Sequence, residues 1–510
     1  MNSYFTLLYL GIFLPAVLII YGVVPQKARG PVLLGASYVF FWSVSGKLLV
    51  YLLISTFSIH HMGLWMADAQ KDRKKKKAIA IFGALFHVGL LAALKYAGFF
   101  VGNLNSLLEA LHIPASCPVP DLAAPIGISF YTLQAISYIL DVSRGTVQAD
   151  RNLGRLALYM SFFPQLMEGP ICRYSDTAER LWQGEKIRYQ NLAFGAQRML
   201  FGLIKKVVVA DRLNMLIKNV FGNYGGYDGG VIALAVVCYT CQLYMEFSGT
   251  MDVVIGTGEL FGFRLPENFR RPFFSRTISE FWQRWHITLG GWFRDYIFYP
   301  MSLTKPLKKL TSAARKRLGA HYGPLVSGSI ALFCVWLCNG LWHGAGWHYI
   351  FFGMYHFVLI LGGSLLAVPV QKVSAGLRIS RESVPYRGMQ ILRTCCLVCV
   401  GELFFRAEGL RNGLAMFKKM ITEFSFQSLG NGAVFQLGMD KKDFLIVGAA
   451  VLLVLAVSIL GERGVSVRSR LAERPAVFRW AVLYGAVLLV VVFGAYGKGY
   501  VPVDPIYANF

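Results

Sequence analysis

Apolar runs long enough to cross a bilayer recur along this chain from residue 4 to about residue 496, with short clusters of Lys and Arg between them. Such runs have too few polar partners to form a soluble core, and a helix of about 20 apolar residues is what a bilayer's hydrocarbon layer accommodates. The composition agrees, since only 15% of the residues are charged against about 25% in ordinary soluble domains. Mean hydropathy is +0.50. The expected fold is an all-α polytopic integral membrane protein, with 1–510 as a single membrane domain.

The basic clusters set its orientation. KDRKKKK at 71–77 and KPLKKLTSAARKRL at 305–318 each hold six Lys or Arg, which places both loops in the cytoplasm. The loop 102–123 has no Lys or Arg and is expected outside. Spans are expected at about 4–24, 31–44, 47–67, 78–101, 125–145, 231–247, 325–342, 347–370, 387–405, 443–461 and 478–496. The run 156–171, broken by Pro164, Gly169 and Pro170, reads as re-entrant or interfacial. A helix at 192–219 reads as partly interfacial, and the polar stretch 406–442 as an outer loop. About 11–13 membrane segments are expected in all.

The formal charge of +24 is spread between apolar spans rather than along one soluble face. That distribution points to anionic lipid and away from nucleic acid. The nine cysteines lie mostly in or beside apolar runs; Cys238 and Cys241 form a CxxC with no second pair, so packing is expected rather than metal or disulfide. No HExxH or HxxxH pattern appears, and no metal is expected. The N-terminus lacks a basic region and a cleavage site, and reads as a retained first span.

One stretch breaks the apolar pattern. PENFRRPFFSRTISEFWQRWHITLGGWFRDYIFYP, 266–300, packs Arg270, Arg271, Arg276, Glu280, Arg284, His286, Arg294 and Asp295 among Trp282, Trp285 and Trp292. Charge beside tryptophan suits a membrane interface. In a helix beginning near Thr277, Glu280 and Arg284 stand at i and i+4 and can pair, with His286 on another side. His343 follows 57 residues later in NGLWHGAGW, with Asn339 one turn before it and Gly340, Gly344 and Gly346 able to admit a ligand close to the backbone. A histidine at membrane depth is costly unless bonded or bordering a wet cavity, and a neutral imidazole can act as a general base. The topology sets His343 nearer the outer leaflet and His286 nearer the cytoplasm. The bland alternatives stay open: interhelical packing for His343, and an anchoring helix for His286. Arg270, Arg271, Arg276 and Arg284 suit lipid phosphates or the phosphates of a phosphopantetheine-type donor. Glu246 and Asp252 suit either a proton pathway or pairing with nearby arginines.

Taken together, RTISEFWQRWHITLGGWFRDYIFYP, GLWHG, PIGISFYTLQAISYILDVSRG, FPQLMEGPICRYSD and FGFRLPENFRRPF resemble the membrane-bound O-acyltransferase family, most closely its bacterial polysaccharide O-acetylation branch, which includes alginate O-acetylation. The likeness is strong over about 120–410. It implies a ring of helices around a thinned centre, with the WHG histidine, His343, catalytic and His286 as the second site histidine. It leaves Asn339 and Trp342 to support them. It implies an acyl thioester co-substrate, acetyl-CoA or an acyl carrier protein, with no permanently bound cofactor. Implied partners are membrane lipids, a polysaccharide acceptor and an extracytoplasmic acyltransferase of the SGNH-hydrolase kind. The implied location is the bacterial cytoplasmic membrane, in multiple passes. Two departures stand out: FSGTMD at 247–252 where the pattern is FSGYSD-like, and Glu168 where an AGP element usually begins. The alternatives are a D-alanyl transfer protein of teichoic acid modification, a proton-coupled transporter or flippase using Glu246, Asp252 and the histidines, and a non-catalytic scaffold.

Overall fold

The computed structural model describes residues 3–497 and 499–503, and among them the chain is helical, with one isolated bridge between Phe269 and Trp285. Among the described residues, eight helical runs are long and apolar enough to cross a membrane. Their burial sorts them. Ala476–Phe493 and Lys441–Glu462, with mean hydropathies of 2.2 and 2.9, bury 0% and 11% of their most apolar windows, while Gly229–Leu260 buries 67%. Apolar surface left this exposed is stable against lipid, so the first two face the bilayer and the third is internal. The protein is a multi-pass integral membrane protein.

One expectation, the paired spans at 31–44 and 47–67, holds, and two others change. The run Gln26–Asp68 is two helices, Gln26–Ser45 and Leu49–Asp68, parted where Gly46 takes φ +53°. The basic stretch 305–318 is not a loop: it is the first arm of the helix Lys305–His343, which reverses at Gly319, φ +79°. The reversal sets a Cβ at Gly323 within 2.4 Å of Arg315 Cα and lets Thr311 bond Ser327 through their hydroxyls. Only a residue without a side chain fits either place. Finally, 406–442 carries a helix of its own, Leu410–Thr422.

The chain forms two compact units. The first, 1–203 with 249–266, centres on an aromatic core of Tyr4, Tyr9, Phe40, Phe163 and Phe261. Inside it the broken run 156–171 is wholly buried: Leu153–Ser161 ends at Phe162, and a single turn, Phe163–Leu166, follows. Backbone freed at such a break must find partners. Side chains supply them. Ser37 Oγ accepts from Phe163 N–H at 3.0 Å, Tyr4 donates to Phe163 O at 3.0 Å and accepts from Met167 N–H at 3.1 Å, and Tyr159 donates to Cys172 O at 3.0 Å.

The same unit holds a carboxylate clamp outside the spans. Asp150 accepts from Arg155 at 2.6 and 2.7 Å and from the Tyr174 hydroxyl at 2.5 Å, while its own N–H donates to Tyr138 at 2.8 Å. Burial opposes its charge, but Arg155 and Tyr174 outweigh burial and hold the carboxyl below its ordinary range. A carboxyl with a lowered folded value stabilises the fold above its unfolded pKa of about 4, and that contribution is lost as pH falls through the folded value. Asp150→Asn is expected to cost roughly 2–3 kcal/mol near neutrality, moderated because Arg155 is 31% exposed. Thermal unfolding in detergent at pH 7 and at pH 3 checks this: the mutant's deficit should shrink at the lower pH.

The second unit, 204–248 with 267–503, carries both candidate histidines. Its principal hairpin packs the second arm of Lys305–His343 on Trp347–Gly376. The two helices meet at Gly340 and Gly353, whose Cα and ideal Cβ positions stand 3.3 Å apart.

Candidate functional site

His286 is held by a fold-back of the chain. The helix Ile278–Arg284 starts where Thr277 Oγ1 accepts from Glu280 N–H at 3.1 Å, and Glu280 Oε2 accepts from Arg276 N–H at 2.9 Å. Together these satisfy two amides at the helix start. Glu280 and Arg284 pair at 2.8 Å, as their spacing predicts. His286, however, lies beyond this helix. It adopts the left-handed conformation, φ +46° and ψ +51°, and turns the chain into Ile287–Phe293. That conformation is rare for a residue with a side chain, and surrounding bonds fix it. Phe269 pairs with Trp285, Arg270 N–H donates to Arg284 O at 2.8 Å, and Ile287 N–H donates to Asn268 O at 3.0 Å.

Asn268 is the residue the sequence reading missed. Fully buried, its Oδ1 lies 3.0 Å from both Thr288 N and Thr288 Oγ1 and 3.2 Å from His286 Nδ1. A backbone N–H can only donate, so the atom facing Thr288 is the oxygen, and Nδ1 must carry the proton that reaches it. Burial holds the imidazole below its ordinary pKa and hence neutral. The neutral ring with Nδ1–H leaves Nε2 as the acceptor nitrogen, the form a general base requires. The ring packs edge-on against Phe247 at 4.8 Å and Trp342 at 5.7 Å.

His343 is the last residue of its helix, and Trp342 beside it is buried. Its ring contacts Trp342 at 5.0 Å, Phe405 at 5.1 Å and Phe352 at 5.9 Å. Both histidines therefore meet the indole of Trp342. The glycines around His343 serve the protein itself: a Cβ at Gly340 would stand 2.5 Å from Tyr349 O, and one at Gly344 2.3 Å from the Tyr349 ring. Asn339 is buried, and its Oδ1 has no hydrogen-bond partner among the described residues.

The charged candidates divide. Arg271 and Arg284 share Glu462 at 2.7 and 2.9 Å, and Arg276 reaches Glu382 at 3.4 Å. Arg270 is exposed. Glu246 pairs at 2.7 Å with Lys206, and Lys206 also meets Asp211 at 2.9 Å. In the first unit Asp252 pairs with Arg198 at 3.1 Å. Asp295 pairs with Arg294 at 3.1 Å. Among the described residues no three His, Cys, Asp or Glu gather as metal ligands. An apolar cavity of about 320 Å³ is lined by Tyr244, Arg271, Phe273, Cys395, Cys399 and Leu455, among others. Its walls Tyr244 and Phe273 pack on Trp285, the residue before His286.

Known proteins give this geometry its context. The model of the MBOAT, membrane-bound O-acyltransferase family, matches residues 148–315. A protein of Pseudomonas aeruginosa named "Probable alginate O-acetylase AlgI" is 33% identical over 89% of this chain and 80% of its own length. The peptidoglycan O-acetyltransferase of Helicobacter pylori is 29% identical over 86% of this chain and 82% of its own. The teichoic acid D-alanyltransferase of Bacillus subtilis is 28% identical over 48% of this chain and 60% of its own. Similarity of this extent, over a helical membrane scaffold carrying both histidine motifs, makes the chain a member of the membrane-bound O-acyltransferase family and an integral membrane acyltransferase.

Proposed function

We propose that this protein takes an acetyl group from a cytoplasmic thioester, acetyl-CoA or an acyl carrier protein, and passes it across the membrane for O-acetylation of an exported polysaccharide or cell-wall glycan. The observation that carries the reading is the pair of buried histidines on one indole, one of them fixed as a neutral base by Asn268. Two relatives that match most of the chain are named for O-acetylation, one of alginate and one of peptidoglycan.

In this reading His343 takes the proton of the accepting hydroxyl as its oxygen bonds the thioester carbonyl carbon. The C–S bond breaks, and the departing thiolate receives the proton. His286 acts on the donor side, where the apolar cavity behind Trp285 shelters the thioester arm. Exposed Arg270 suits the donor's phosphate better than Arg271, Arg276 or Arg284, which carboxylates already engage. An extracytoplasmic acyltransferase of the SGNH-hydrolase kind completes transfer to the glycan, and the setting is the bacterial cytoplasmic membrane. D-alanyl transfer is the second reading, supported by a relative that matches about half of the chain.

Labelled acetyl-CoA, acetyl carrier protein and D-alanyl carrier protein, offered in parallel to inside-out vesicles containing the protein, separate these readings. Label leaving an acetyl donor and appearing on the lumenal side is the expected result. Use of the D-alanyl carrier alone would transfer the assignment to the second reading. Consumption of no donor would contradict both.

A further inference from the structure

Beside His343 stands a group of buried polar atoms that acyl transfer has not been asked to use. His356, on Trp347–Gly376, is 0% exposed, and neither of its ring nitrogens has a hydrogen-bond partner among the described residues. The same is true of the indole nitrogen of Trp282, on Ile278–Arg284. The two rings are in contact, with centroids 4.9 Å apart, and Trp336 closes a triangle at 5.4 Å from His356 and 5.0 Å from Trp282. Phe352 joins the group to the candidate site, 4.7 Å from His356 and 5.9 Å from His343.

Two more orphaned atoms stand nearby in the chain. Asn339, one turn past Trp336, has a buried Oδ1 without a partner, and so does Glu402 at Oε2. Glu402 directly follows Gly401, where an added Cβ would stand 2.8 Å from His356 Nε2. The backbone of Val384–Arg406 thus closes one side of the imidazole.

Polar groups buried at membrane depth are retained when something bonds them. The kind of ligand follows from the mixture. Trp282 only donates, Asn339 Oδ1 only accepts, and a neutral His356 does one of each. A metal ion finds no lone pair on an indole N–H, and an anion, which can only accept, finds no donor in Asn339 Oδ1. Water, with two protons to give and two lone pairs to receive, matches the set.

We propose that Trp282 and His356 hold internal water in a polar site beside His343, and that this water ties together the segments bearing the two histidines. The tie has a definite place: Ile278–Arg284 leads directly into His286, and Trp347–Gly376 packs on the helix that ends in His343. His356 is then a positioning residue. Its loss alters the registry of the two site histidines without removing a group that touches either substrate.

The test combines a density map with kinetics on the full-length protein in lipid nanodiscs. In a cryo-electron microscopy map sharp enough to show ordered water, density is expected within hydrogen-bonding distance of Trp282 Nε1 and of one His356 ring nitrogen. His356→Leu is expected to lower kcat for acetyl transfer about tenfold or more, with the donor KM within about twofold. His356→Gln, whose amide again offers one donor and one acceptor, should recover most of that loss. A dry site in the map, a wild-type rate in His356→Leu, or equal impairment of the Leu and Gln variants would overturn the proposal. The map decides the water site even if neither acetyl donor is used, so failure of the proposed function and failure of this inference are distinguishable.

Discussion

His343→Ala is expected to lower acyl transfer by about 10²–10⁴-fold, the range that a positioned general base contributes, while the protein still inserts and accumulates normally. The ring sits at a helix end, bordered by Trp342, Phe352 and Phe405. Replacing it removes aromatic contacts as well as a base. His343→Phe separates the two: it keeps the ring packing and lacks the nitrogen. The steady-state rate at saturating donor, measured at matched expression, should fall equally in both variants. A His343→Phe protein retaining wild-type activity would remove His343 from the chemistry and leave it a packing residue.

The second large effect is expected at Asn268. Its Oδ1 is the shared acceptor for His286 Nδ1–H, Thr288 N–H and the Thr288 hydroxyl. In Asn268→Leu these donors lose this acceptor, at a cost of about 1–3 kcal/mol for the buried His286 Nδ1–H. The tautomer of His286 is also released, while the backbone bonds that fix the left-handed turn remain. Transfer is expected to fall about 10²-fold, the size of effect that follows misplacement of a reacting group. Thr288→Val is the control, because it removes only the hydroxyl and keeps the backbone bond. Gel filtration and thermal unfolding of both variants, beside their rates, distinguish a misfolded protein from a misaligned site. If Asn268→Leu transfers acyl groups at the wild-type rate, His286 does not depend on this anchor.

Local chemistry was the legible part of the site. The Glu280–Arg284 pair follows from i,i+4 spacing, and the histidines stood out because each follows a tryptophan at membrane depth. What joins them lies far apart in sequence. Asn268 reaches His286 across 18 residues, through a turn made by a residue that is not glycine, and no periodicity announces such a contact. Asn339 lies one turn from His343, yet spacing along a helix does not fix where a side chain points, and its Oδ1 is left without a partner among the described residues. Likewise, the glycines of NGLWHGAGW signalled close approach correctly but not what approaches, which is Tyr349.

The fold divides in the same way. Apolar run length identified the membrane helices, because bilayer thickness acts on sequence directly. Six basic residues in 305–318 read as a cytoplasmic loop, since charge reports the side of the membrane and not the backbone conformation. Lys and Arg are good helix formers, and the stretch folds as a helix reversed at Gly319. His356 and Trp282 carried no signal of spacing. Their joint character appears only once the two rings are placed 4.9 Å apart.

Transmembrane acyl transfer can be measured in sealed proteoliposomes that hold purified protein, radiolabelled acetyl-CoA inside and a soluble oligosaccharide acceptor with its extracytoplasmic partner outside. Label should appear on the outer acceptor as an alkali-labile ester with wild-type protein, at a rate His343→Ala lowers by at least about 10²-fold. Label that stays inside with both proteins, or crosses equally with both, would contradict transfer through this site.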